Sequence, residues 1–315
     1  MRKAFPWLCL AAAILALPAC KKEDSGDSTP SLSGLALDEV VPYVLAGDKV
    51  TVNANVRNLT VSSGSLPGGI GLSWQVNSAK RDTLTLDINK SNPAFTYQVD
   101  TLGSYDITCI AFAGSGYYSA SAVASFRAID PQTALTGLSG EADTTVGDIK
   151  VRTAEINGAT WMAQNYYSQN AGLDYKNASA VTSVLGRLYT WEEAKNACPA
   201  GWHLPSAAEW DALGTQAAPL MAGASFLDER MWKLTNGQVI TNALGFNAIP
   251  VGMADLTSSM DKFRGYGQYA IFWTASAGTD ADLAQYRYIR YDEEEVKKGE
   301  GHISSLALSV RCVKD

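Results

Sequence analysis

Histidine is nearly absent. The 315 residues hold two, His203 and His302, in unrelated strings. Two isolated imidazoles exclude a His-rich metal centre, and neither sits in a nucleophile or zincin motif. Also missing are a CxxC pair and a Gly-rich phosphate loop opening a helix, so no cofactor is implied. The formal net charge is -7 and no basic cluster interrupts the chain. An acidic chain of this kind lacks the electrostatic footprint of a nucleic-acid partner. Beyond residue 20 no apolar run approaches the roughly 20 residues needed to span a bilayer. Cysteine is scarce, with five in all: Cys9, Cys20, Cys109, Cys198 and Cys312.

What is present begins at the N-terminus. Arg2-Lys3 precedes a short apolar segment, residues 4–19, which closes on Leu17-Pro18-Ala19-Cys20. A basic start, a short apolar core and a small-residue cleavage site form a secretory signal. With a cysteine at the cleavage point it resembles a bacterial lipoprotein signal. The resemblance implies a chain lipidated at Cys20, held to a membrane by acyl chains that each contribute about 0.8 kcal/mol per buried CH2. Lys21-Lys22-Glu23-Asp24-Ser25 resembles the surface-export signal of Bacteroidota-type lipoproteins. The expected address is the outer membrane, exposed at the cell surface. In that oxidising compartment disulfides persist.

Residues 20–34 are small, polar and charged, and read as a lipidated flexible tether. Residues 35–130 are written in period-two alternation: Val50, Val52, Ala54, Val56; Leu72, Trp74, Val76; Leu84, Leu86, Ile88; Phe95, Tyr97, Val99; Tyr105, Ile107, Cys109, Ala111. Turn signals such as Pro67-Gly68-Gly69 and Gly114-Ser115-Gly116 separate them. About seven short strands with regular turns predict an all-β sandwich. Trp74 is expected on a central strand beside Cys109, a buried free thiol. The stretch from Phe95 to Ala111 resembles a PKD-like or immunoglobulin-like domain without the Asp-Phe-Gly-Asp signature, a module expected to act as a spacer. Residues 131–145 read as a linker. Residues 146–315 mix two capped helices with short strands and Gly-rich loops, which predicts an α+β domain. The caps are T-x-x-E at Thr190/Glu193 and S-x-x-E at Ser206/Glu209.

Strings in this second region are similar to one family, the Fib_succ_major (FISUMP) domain. They include Thr160-Trp161-Met162-Ala163-Gln164-Asn165, Gly186-Arg187-Leu188-Tyr189-Thr190-Trp191 and the run from Cys198 to Ser206. Phe272-Trp273-Thr274-Ala275-Ser276 and Ser309-Val310-Arg311-Cys312-Val313-Lys314-Asp315 follow in order. The family looks related to the C-type-lectin-like fold, which also houses formylglycine-generating enzymes. That frame implies a Cys198–Cys312 disulfide. The rings of Trp161, Trp191, Trp202, Trp210 and Trp273 are expected in the core, as is His203.

Aromatics outside the family strings are the better binding candidates: Tyr166, Tyr167, Tyr175, Tyr266, Tyr269, Tyr286 and Tyr288, with Tyr266 and Tyr269 foremost. Asp255 and Asp261 offer oxygen ligands for a loop calcium, although the Glu-Pro-Asn, Gln-Pro-Asp and Trp-Asn-Asp strings of calcium lectins are absent. Asp292-Glu293-Glu294-Glu295 reads as a solvated loop. Ser28 and Thr144 lie in Asp-Ser/Thr strings that resemble O-glycosylation sites. The expected function is a non-catalytic, lipid-anchored surface protein displaying a binding or adhesion module for glycan or protein. Its ligand surface is placed in the loops from about Ala222 to Tyr269. The alternatives are a structural subunit of a surface assembly and a formylglycine-generating-type oxidase.

Overall fold

The computed structural model describes residues 29–85, 92–114, 119–168, 171–235 and 237–315. Cys20, Ser28, most of the tether and the expected strand positions Leu86 and Ile88 lie outside the described residues. The chain divides into two compact units. One takes residues up to 40, 49–98 and 104–126; the other takes 41–48, 99–103 and 127–315.

In the first unit the alternation becomes burial. Along Lys49–Asn55 and Gly71–Val76 every second side chain is buried, including Val52, Ala54, Leu72 and Trp74. Gly71–Val76 lies between two antiparallel neighbours, Ala79–Thr85 and Gly103–Phe112, with Trp74 opposite Cys109. Ala36–Leu37, Lys49–Asn55 and Ala94–Gln98 form a second, three-stranded sheet. Trp74 of one sheet stacks on Phe95 of the other, ring centroids 5.3 Å apart. Tyr105 stacks on Phe126 at 5.2 Å and completes the apolar filling. Cys109 is a fully buried free thiol, and burial pushes its pKa up to about 12.

The second unit is built on short strands. Its main sheet runs, in spatial order, Leu173–Asp174, Arg187–Tyr189, Leu306–Ser309, Tyr269–Ala277, Leu283–Arg290, Lys297–His302. A second sheet orders Thr153–Ile156, Ala159–Met162, Val313–Lys314 and Trp202–His203. Its first hairpin turns on Asn157-Gly158, both at positive φ (54° and 84°), the Asn-Gly pair favoured by two-residue hairpins. The stretch expected as linker is built into this unit. Leu135–Thr136 pairs with Ser225–Phe226, Ala134 is buried, and Thr144–Val146 pairs with Ile149–Val151. Short polar-flanked strands of this kind carry no periodicity long enough to distinguish them from a connection.

Both predicted capping boxes form. Thr190 caps Trp191–Ala194 with Glu193 reaching back, and Ser206 caps Ala207–Asp211 with Glu209 reaching back. No helix among the described residues is long and apolar enough to cross a membrane. Cys198 follows the first of these helices and is bonded to Cys312 near the chain's last strand.

The disulfide closes a loop across a sequence separation of 114 residues. Replacing both cysteines with serine is expected to lower the stability of the second unit by about 4–5 kcal/mol in the chain-entropy account. Denaturant unfolding of the double variant beside the oxidised protein measures this, and an unchanged midpoint contradicts it.

Candidate functional site

The centre of the second unit is Arg311, fully buried with no carboxylate partner among the described residues. Its Nε donates to Asn165 Oδ1 at 3.0 Å. Nη1 donates to the carbonyls of Met162 at 3.1 Å and Phe246 at 2.5 Å, and Nη2 to that of Asn247 at 2.8 Å. The rings of Phe246 and Phe272 approach the guanidinium carbon at 4.6 and 5.4 Å, adding cation–π attraction. Burial pulls the pKa of Arg311 down to about 9, which leaves it cationic at neutral pH.

Two asparagines extend this hub. Asn165 Nδ2 donates to Leu185 O at 2.9 Å and Ser309 Oγ at 3.3 Å. Asn247 holds the left-handed conformation (φ 58°), which Asn tolerates better than most residues. Its Nδ2 donates to the carbonyls of Ser139 and Ala163, and its Oδ1 accepts from Ser139 N–H and Asn242 Nδ2. Segments near 139, 162–165, 185, 242–247 and 309–311 are thereby tied by side chains rather than by sheet pairing.

An open groove of about 640 Å³ lies on the outer side of this network. Ser139 and Asn242, both bonded into the hub, form part of its lining. Leu138, Leu234, Val239 and Ile240 supply aliphatic walls, and Arg230 and Gln238 supply polar groups. The groove overlaps the loop region from Ala222 to Tyr269 expected to carry a ligand surface, but at different residues from those singled out there.

The tyrosines are placed differently from the expectation. Tyr166 and Tyr175 are buried, and Tyr167, Tyr266, Tyr269, Tyr286 and Tyr288 are half-buried. Tyr266 packs 5.3 Å from Tyr175 and against an apolar cluster. Burial, reinforced by Tyr43, Tyr175 and Glu229, raises its pKa far above the usual phenol range. Tyr269 leans on Tyr288 at 6.3 Å beside the Arg290 guanidinium. Two of these rings, Tyr269 and Tyr286, fill space that a nearby glycine leaves. A Cβ on Gly265 would lie 2.8 Å from the Tyr269 ring, and one on Gly299 2.5 Å from Tyr286.

Asp255 and Asp261 lie in one hairpin and are bonded chiefly within it. Asp255 Oδ1 accepts from Thr257 N–H and Oγ1 at 3.0 and 2.6 Å, and its Oδ2 lies 3.4 Å from Arg264. The Thr257 hydrogen bonds and then Arg264 hold the Asp255 carboxyl below its ordinary pKa. Asp261 uses its backbone, bonding Ser258 and Arg264. Among the described residues no three His, Cys, Asp or Glu side chains are gathered as for a metal ion. The acidic run is paired rather than free: Asp292 and Glu293 bridge Arg290, and Glu293 and Glu295 bridge Lys297. Thr144 is half-buried in a strand and shares hydrogen bonds with Asp143 and Thr153.

His203 is not in the core. Its side chain is 40% exposed and clamped between Glu209 and Asp315, each at 2.8 Å. Adjacent Trp202 is half-buried too, as is Trp191, whose indole N–H donates to Thr274 O. Trp161, Trp210 and Trp273 are buried as expected, and Trp232, outside the family strings, joins them.

The second unit thus defines a class: a strand-rich domain, stapled by one disulfide and organised by a buried arginine beside an open groove. Residues 153–314 match the Fibrobacter succinogenes major domain family (Fib_succ_major), just over half of the chain, and the chain belongs to that family. No curated protein matches the chain.

Replacing Arg311 with Met would leave three carbonyls and Asn165 Oδ1 without donors. The expected loss is on the order of 3–5 kcal/mol. Lys in its place keeps the charge but has no planar fork to reach four acceptors, so it is expected to recover only part of the loss. Denaturant unfolding of both variants measures this, and wild-type stability in the Met variant contradicts it.

The His203 clamp predicts a pH dependence. Partial desolvation pulls its pKa down, but the hydrogen bonds and charges of Glu209 and Asp315 outweigh it and raise the pKa. A raised folded-state pKa stabilises below the unfolded value of about 6.5, and this contribution is lost as pH rises through the folded value. Burial pushes the Glu209 carboxyl up, but the hydrogen bonds from His203 and Ser206 together outweigh it and hold its pKa low, so its contribution is lost as pH falls through its own folded value. The melting-temperature gap between wild type and His203→Gln is therefore expected to be wider at pH 5.5 than at pH 9. An equal gap at both contradicts the clamp.

Proposed function

We propose that this chain is a lipid-anchored protein of the bacterial cell surface, in which a sandwich of the PKD or immunoglobulin kind acts as spacer for an outward, C-type-lectin-like binding module. The module is non-catalytic and recognises glycan or protein. One observation carries this reading: the hub presents an open groove with aliphatic walls and no titratable constellation along it. A groove of this volume falls within the roughly 300–1,000 Å³ of small-ligand sites. The oxidase alternative needs reactive thiols, and Cys198 and Cys312 are bonded to each other. The anchor reading rests on Cys20 and the basic-apolar string before it.

A glycan-array and host-matrix binding screen with purified protein, with and without EDTA, tests the module. Saturable binding is expected. A clean negative from folded, disulfide-bonded protein overturns the reading in favour of a structural subunit.

A further inference from the structure

The groove beside the hub has a chemistry that narrows its ligand, and this step rests on the binding-module reading. Its walls are Leu138, Leu234, Val239 and Ile240, branched aliphatic side chains without an aromatic ring. Val239 is 65% exposed, an exposure for a large aliphatic residue that folding alone does not reward. Arg230 is the one charged residue on the lining. It is exposed and forms no ion pair among the described residues, which leaves its guanidinium open to an anionic ligand. Gln238 is oriented by donating its Nε2 to the carbonyl of Glu293. Its Oε1 is buried with no donor among the described residues and does not face a ligand in the groove.

Two demands therefore stand together: apolar side chains for the walls and an anion for Arg230. Neutral glycan meets them poorly, because sugar faces favour stacking on rings and no ring lines the groove. Nucleic acid is disfavoured by a single cation. An extended polypeptide supplies both from neighbouring positions, since side chains alternate along a strand. We propose that the groove lined by Leu138, Arg230, Leu234, Gln238, Val239 and Ile240 binds an extended peptide segment in which acidic residues alternate with aliphatic ones.

The test uses the whole protein and fluorescent, end-blocked octapeptides alternating Asp or Glu with Leu or Val. Matched sets carry Lys in place of the acids, or Ser in place of the aliphatics. Saturable anisotropy is expected with the acidic-aliphatic set alone, weakening as salt is raised. Arg230→Glu is expected to weaken binding at least about tenfold, through loss of charge complementarity. Val239→Asp, at an exposed position, is expected to abolish it while the thermal melt stays unchanged. Equal binding of the Lys set, or full binding by Arg230→Glu, overturns the proposal. Glycan or matrix binding without peptide binding also overturns it, while leaving the binding-module reading in place. Binding of nothing in either screen sinks both.

Discussion

A guanidinium buried without a counter-ion is a severe constraint. Removing such a charge from water costs several kcal/mol even after relaxation, so the fold around Arg311 must supply acceptors from every side. It does so with three main-chain carbonyls and one asparagine amide, from segments far apart in sequence. The carbonyls of Phe246 and Asn247 belong to a loop with no regular hydrogen-bonding partner strand of its own. Arg311 is what fixes that loop, and Asn247, held there, in turn fixes Ser139 and Asn242 at the groove. Side-chain hydrogen bonds thus connect the groove to the buried charge.

The last five residues concentrate several ties. Residues 311–315 carry the arginine hub, the disulfide at Cys312, the pairing of Val313 with both Trp161 and His203, and the Asp315 contact to His203. α-Helices of four or five residues gain little from secondary structure in isolation. Long-range ties converging on one segment add stability that local propensity cannot. Gly186 belongs to the same arrangement: at φ 77° it passes so close to Asn165 that a Cβ would lie 2.4 Å from the Asn165 Cβ.

The legible parts of the sequence were those with a local physical signature. Alternation at Val50–Ala54 and Leu72–Val76 marked strands because every second position meets the core. The T-x-x-E and S-x-x-E boxes marked helix starts because cap and partner lie three residues apart. The resemblance of ordered strings named the family and implied the disulfide. What stayed hidden were features whose partners are distant. Arg311 was visible as a letter in a terminal string, but its acceptors lie about 65 and 149 residues away. His203 looked like core because apolar residues flank it, yet strand alternation and Asp315 turned it outward. Tyr269 and Tyr286 stood as binding candidates without a sign that Gly265 and Gly299 admit their rings, because those contacts form through space.

That last feature bears on function. Glycine beside an aromatic has two opposite readings: a flexible loop presenting a ring to ligand, or a cavity in the backbone that the ring fills. Distance decides between them, and the close approaches at Gly265, Gly299 and Gly301 decide for filling. With Tyr269 and Tyr286 packed in this way, the candidate for recognition is the groove. Arg230, without an ion pair among the described residues, and the exposed Val239 lie on its one lining. Neither gains from folding alone, and an acidic-aliphatic segment would satisfy both at once.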